Sequence, residues 1–360
     1  MQESRSSDLT LQSVDDPIPQ DLESNKNEIK QDLGMHHRMR FVLIFVGVFE
    51  KYLSIWVALC IASGLLLGYY VPAIPQALNR AVVAQVSIPI AILLWAMILP
   101  MMIQIDFSSL KNVWSQPKAL IMTTGINYLV QPFTMTAFAI LFLKVIFVGY
   151  IGQELANAYT IGLIILGGSP CTAMVFVWSA LMNGDPSYTL TQVALNDIVL
   201  LFAYVPLVKL LAGTSSVSVP WDTLLYSVAF FVLVPLLLGI LIRWIILRSR
   251  GLDYLQKRIL PATKPFSIAA LLATLVLIFI YQATTVISNL VHILVIAIPI
   301  LIQTIFIWGL TFIIALWLKL PYEIAGPATL IASSNFFELA VAVSISIYGR
   351  VLFFRASHIV

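Results

Sequence analysis

From residue 53 onward the chain consists of apolar runs of about 20 residues separated by short polar turns. They lack the strict alternation of a half-buried strand, and they are too uniformly apolar for the single stripe of a surface helix. A helix needs about 20 such residues to cross roughly 30 Å of hydrocarbon. On that rule the pattern predicts helices near 53–71, 87–105, 119–143, 157–181, 190–211, 222–247, 266–287, 291–318 and 323–348. The run at 41–49, cut off by Glu50 and Lys51, is too short to span and reads as an interfacial lead-in. Residues 1–48 mix acids with Ser, Asn and Gln and hold no signal-peptide core, so they predict a disordered cytosolic tail.

Composition sharpens this picture. Of 360 residues, 60% are apolar and only 10% charged, against about 25% charged in a soluble domain. The mean hydropathy is +0.96. Residues 1–51 hold 6 Lys/Arg and 9 Asp/Glu, so the remainder has too few charges to cover a water-facing surface. A soluble enzyme and a nucleic-acid binder are thereby excluded, and the fold class is an all-α polytopic membrane protein. With the N-terminus inside, Arg38, Arg40, Lys51, Lys111, Lys118, Arg243, Arg248, Arg250, Lys257, Arg258, Lys264 and Lys319 fall on cytoplasmic flanks. Arg80, Lys144 and Lys209 fall outside, and the asymmetry obeys the positive-inside rule. Only the C-terminal Arg350 and Arg355 run against it.

The chain also overlays on itself in inverted orientation. GLIILGGSPCTAMVFVWS (162–179) and PATLIASSNFFELAVAVS (327–344) share a small or polar break at a constant offset of 165 residues. Ser87-Ile88 and Ser267-Ile268 are expected to open the second and seventh spans, and Gln131 of the third is expected to face Gln303 of the eighth. An odd number of spans per half, with such breaks, is the pattern of an inverted-repeat transporter. The expected organisation is a first repeat of five helices over 49–212 and a second over 213–348. Five plus five are expected and about nine are present, since the tail at 349–360 is too short and too basic to supply the tenth.

Few residues in such a chain can carry chemistry. Ser169-Pro170-Cys171 lies in mid-span, where proline removes a backbone donor and disfavours helix in the residue before it, so the helix should break there. Cys171 would stand at the positive end of the following half-helix, where a thiol can take a soft electrophile; as a lone cysteine it is equally a small buried hydrophobe. Cys60, with no break nearby, reads as the latter, and neither cysteine suggests a disulfide. Glu338, after Ser333-Ser334-Asn335 at the matching break, must be paired, hydrated or protonated at that depth, which makes it a functional candidate. Asp197 beside Asn196 is the second intramembrane acid, though an Asn-Asp pair serves equally as interhelical glue. Asn127 and Gln131 share a helical face just before Pro132. Gly64 and Gly68 form a packing step, and the four histidines show no metal-ligand spacing, so neither metal nor cofactor is expected.

The stretch SPCTAMVFVWSALMNGDPSYTLTQVALNDIVLLFAYVP (169–206) closely resembles the arsenite permeases of arsenical resistance, within the bile acid/sodium symporter superfamily. NYLVQPFTM (127–135), IPILIQTIFIWGL (298–310) and SSNFFELAVAVSIS (333–346) are similar to further signatures of that family, so the resemblance runs from about Glu50 to Tyr348. It implies two inverted five-helix repeats and efflux of trivalent arsenic, sometimes antimony, in exchange for protons. It also implies an essential thiol at Cys171 and an essential carboxylate at Glu338, with Ser169, Pro170 and Asn335 beside the substrate. The partners expected are As(III), protons and the bilayer, in a plasma membrane or else a vacuolar one. Two alternatives stand: a sodium-coupled symporter of a bile-acid-like organic anion, and a truncated, inactive member of the permease family. An intramembrane aspartyl protease is excluded, because its Tyr-Asp and Gly-x-Gly-Asp pair is not in the sequence.

Overall fold

The structure is a computed structural model of the 360-residue chain. It describes residues 52–80, 82–83, 86–104, 117–171, 174–213, 220–288, 290–337, 339–341 and 343–344. The N-terminal tail, the lead-in at 41–49, Glu338 and the C-terminal tail lie outside the described residues.

The described chain is helical apart from a two-residue antiparallel pairing, Val82–Val83 with Val86–Ser87, and an isolated bridge discussed below. Helix α1 (Leu53–Tyr70) and the short α2 (Ala73–Arg80) lead through that pairing to α3 (Ile88–Gln104). Helix α4 (Pro117–Ile146) is continuous but widens into π-helical turns over Ile126–Val130 and Ile140–Ile146. The first widening directly precedes Pro132, whose ring would otherwise collide with the preceding turn. A one-turn helix (Val148–Ile151) ends at Gly152, whose φ of +80° favours glycine, and α5 (Gln153–Gly167) follows. After the break come α6 (Val175–Leu181) and α7 (Pro186–Ala212), the latter capped by Asp185, which accepts the Ser187 N–H at 2.8 Å.

In the second half, α8 starts as Trp221–Val228, passes a wide turn at Ala229–Leu233 and continues as Val234–Tyr254. Gly251, at φ +79°, breaks its last turn, and after the wide turn Leu255–Ile259 comes α9 (Leu260–Ser288). Helix α10 (Leu290–Trp317) and α11 (Tyr322–Ser333) complete the described elements, with helical residues resuming at 337. Each predicted span has its helix, and the fourth and ninth are broken where the sequence predicts. The opening of the seventh span is corrected: its helix begins at Leu260, so Ser267 lies inside it and donates to the Met97 carbonyl at 2.8 Å. In the polar stretch before Ser267, Leu255 is buried while an Asp253–Lys257 pair one turn apart, at 3.0 Å, is exposed.

Two groups of helices emerge from the packing. Gly64 and Gly68 let α1 lie directly on α9, where an added Cβ would meet the Val276 and Ile280 carbonyls and the Phe279 and Ala283 side chains. Gly239 of α8 admits Met102 of α3, and Arg243 donates to the Ile103 carbonyl at 3.0 Å, so α3 and α8 join that group. In the other group, Gly167 of α5 admits Met135 of α4, Gly168 faces Tyr204 and Val208 of α7, and Gly184 seats Pro327 of α11. An apolar core lies between the groups, with Leu94 and Met97 of α3, Ile164, Leu200, Phe231, Ile278 and Phe336 buried together.

The outward faces are apolar as well. Ile121, Leu129, Phe202, Ile305 and Trp317 are exposed, whereas Asn127, Gln131, Gln192, Asn196 and Gln303 are almost fully buried. Such an inside-out distribution has lipid as its solvent. Among the described residues five helical stretches are long and apolar enough to cross a membrane, and the 64-residue one, Trp221–Thr284, is interrupted at Gly251 and so accounts for two spans.

Candidate substrate site at the crossed breaks

The two broken helices meet at their breaks. Helix α5 stops at Gly167, three residues short of Pro170, and α6 begins at Val175. Helix α11 stops at Ser333, and Ser334 is extended (φ −107°, ψ 148°). Pro170 and Asn335 pair as an antiparallel bridge. Around it the Cys171 N–H donates to the Ser334 carbonyl at 3.1 Å, and the Phe336 N–H donates to the Ser169 carbonyl at 2.9 Å. At the 165-residue offset Cys171 matches Phe336 and Ser169 matches Ser334, so the two bonds are images of each other under the repeat symmetry. The arrangement satisfies backbone groups that a break in mid-membrane would leave bare.

Side chains brace this crossing from α4 and α10. Gln131 Nε2 donates to Asn335 Oδ1 at 2.6 Å and reaches the Ser334 carbonyl at 3.5 Å, while Gln303 Nε2 donates to the Gln131 carbonyl at 3.1 Å. The expected Gln131–Gln303 facing is therefore present, through the backbone of one and the side chain of the other. Ser333 Oγ turns back to the Thr329 carbonyl at 2.9 Å, and Ser334 Oγ to the Ile331 carbonyl at 3.3 Å; both close the end of α11. Ser169 Oγ does the same for α5, donating to the Leu166 carbonyl at 3.4 Å.

Cys171 is 5% exposed, carries no disulfide and packs with Ile126, Val175, Tyr188 and Val193. It stands at the break, four residues before α6 begins. Cys60 sits on α1, whose partner in packing is α9, and has no part in the crossing. Beside Cys171, α4 and α7 are joined by polar side chains. Asn127 Nδ2 and Gln192 Nε2 both donate to Asn196 Oδ1, at 3.2 and 3.0 Å. Gln192 Nε2 also reaches Thr124 Oγ1 at 3.0 Å, Tyr128 donates its hydroxyl to the Asn196 carbonyl at 2.7 Å, and Thr123 pairs with Tyr188 at 2.8 Å. Sequence reasoning found Asn127 and Asn196 but missed Gln192, Thr124, Tyr128 and Tyr188; the spacing of Gln192 and Asn196, one turn apart on α7, was the available signal.

Asp197 is 1% exposed, and neither carboxylate oxygen has a hydrogen-bond partner among the described residues. It is thus outside the bonded set around Asn196. Among the described residues no three His, Cys, Asp or Glu side chains cluster as a metal site would require.

Comparison with known proteins places this architecture. Residues 91–289 match the model of the Sodium Bile acid symporter family. The Arsenical-resistance protein Acr3 of Alkaliphilus metalliredigens is 49% identical over 304 residues, 84% of this chain and 85% of that protein. The chain belongs to the sodium bile acid symporter family. An uncharacterized transporter of Synechocystis, slr0944, is 43% identical over 84% of the chain and 82% of its own length. The Acr3 of Corynebacterium glutamicum is 30% identical over the same shares. Within the symporter family the chain is thus related to the arsenite permeases. It is a multi-pass membrane transporter and not an enzyme.

Proposed function

We propose that this transporter exports arsenite from the cytosol in exchange for protons, with antimonite as a second substrate, and that it works in the plasma membrane. The observation that carries the reading is Cys171 in the crossed breaks, a thiol held at the pseudo-symmetric centre of a chain related to two arsenical-resistance proteins. Trivalent arsenic prefers sulfur to oxygen ligands. In the proposed step As(OH)3 exchanges one hydroxyl for the Cys171 sulfur; an As–S bond forms, and the thiol proton leaves with that hydroxyl as water. The reverse reaction on the other side of the membrane frees the substrate. Backbone pairing at Ser169, Pro170, Ser334 and Asn335 fixes the sulfur in position, and Gln131 holds Asn335. Glu338, three residues past Asn335, is the proposed proton carrier, because a carboxylate at that depth can exchange its charge for a proton as the site changes sides. The deciding experiment is arsenite efflux from cells that lack an exporter of their own. Expression of this chain is expected to lower cell-associated arsenic and raise arsenite tolerance, and failure on both counts in cells that insert the protein would refute the reading.

A further inference from the structure

Four buried carboxamides near the crossing use their amino groups and leave their oxygens unpaired among the described residues: Asn127 Oδ1, Gln131 Oε1, Gln192 Oε1 and Gln303 Oε1. Asn196 Nδ2 and both Asp197 carboxylate oxygens beside them are unpartnered among those residues as well. Buried polar atoms are nearly always satisfied, so a set of orphaned groups dominated by carboxamide acceptors points to a ligand that brings donors. Gln131 and Gln303 belong to the brace of the crossing. Asn127 and Gln192 are set apart from it, 0% exposed, on facing helices α4 and α7, and tied to each other through Asn196 Oδ1. Their chain neighbours Ile126 and Val193 pack in the same buried cluster as Cys171.

We infer that Asn127 Oδ1 and Gln192 Oε1 form a hydroxyl-recognition subsite that selects small undissociated trihydroxides. The inference rests on the arsenite reading above and deepens it. Arsenite at neutral pH is the uncharged As(OH)3, and after one hydroxyl is exchanged for sulfur two O–H donors remain, which matches the two orphaned acceptors. A cation would also be drawn to such oxygens, and the buried carboxylate of Asp197 beside Asn196 would offset part of its lost hydration, so the sodium dependence of uptake is the measurement that separates a cation from a trihydroxide.

Boric acid separates the two halves of the site, because it is a neutral trihydroxide with no affinity for thiols. In everted vesicles it is expected to inhibit arsenite uptake competitively. Gln192→Met keeps the side-chain length and removes both the oxygen and the nitrogen of the amide, and Asn127→Leu provides a second variant should the first fail to fold. Either is expected to raise the KM for arsenite about tenfold and to abolish inhibition by boric acid. Purified Cys171→Ser protein is expected to keep the thermal shift that boric acid induces, and Gln192→Met to lose it. Arsenite uptake insensitive to boric acid, or unchanged KM in both variants, overturns the subsite and leaves the transport reading standing. Absence of arsenite uptake by the unmodified chain overturns the transport reading, while a boric acid shift lost in Gln192→Met still supports the subsite. Uptake that needs sodium, with the need lost in Gln192→Met, assigns these oxygens to a cation and overturns the inference.

Discussion

At the scale of single residues, chemistry in this protein is set by what the bilayer excludes. Cys171→Ser changes volume little and leaves the 3.1 Å backbone bond to Ser334 in place, since that bond uses the main-chain N–H. It is expected to abolish arsenite flux with normal membrane insertion, measured by efflux and by quantitative blotting, whereas Cys60→Ser is expected to transport as the unmodified chain does. Gln131→Leu tests the brace: it removes the 2.6 Å bond to Asn335 and orphans that side chain. A loss of about 1–3 kcal/mol of stability is expected from an unsatisfied buried partner, seen as a lower melting temperature in detergent together with a fall in flux. An unchanged melting temperature would show that Asn335 finds another donor.

At the scale of elements, close backbone approach matters more than side-chain chemistry. Gly68 sits against the Ile280 carbonyl and Ala283, so Gly68→Leu must push α1 off α9. Overpacking of this kind costs about 1–3 kcal/mol, and the expected readout is a lowered melting temperature, whereas Gly149→Ala, where an added Cβ meets nothing within 4 Å, is expected to be neutral. The pattern Gly64-x-x-x-Gly68 identifies the contact face of α1 from sequence, because two small residues one turn apart make a groove. It does not say that the groove receives α9. Likewise Pro170 marks where the fourth span breaks, but the position of Cys171 at that break depends on the pairing of Pro170 with Asn335 and on its own bond to the Ser334 carbonyl.

At the scale of the whole molecule, the crossing joins the two broken helices: one break holds Cys171, and the other is followed in sequence by Glu338, the proposed proton carrier. Glu338→Gln keeps shape and much of the hydrogen bonding but cannot bind and release a proton. Under an imposed pH gradient, vesicles carrying this variant are expected to lose gradient-driven arsenite flux, with Glu338→Asp retaining part of it. Gradient-driven flux that persists in the Gln variant would remove Glu338 from proton coupling.

The sequence by itself determined the solvent and the layout. Helices in lipid must satisfy their own backbone, so apolar length reads out as spans, and proline or a run of small polar residues reads out as a break. These rules are local, which is why the helical membrane layout, both breaks and the pairing of Gln131 with Gln303 were legible from residue order and the 165-residue offset. Only the tertiary structure decided which polar groups share a partner. Gln192 looks like any polar residue near the end of a span, and its role became visible once α7 was laid against α4, with Asn196 accepting from both sides. The same holds for the orphaned oxygens of Asn127 and Gln192: a carboxamide has two donors and two lone pairs, and which of them stay empty is fixed by neighbours far away in the chain.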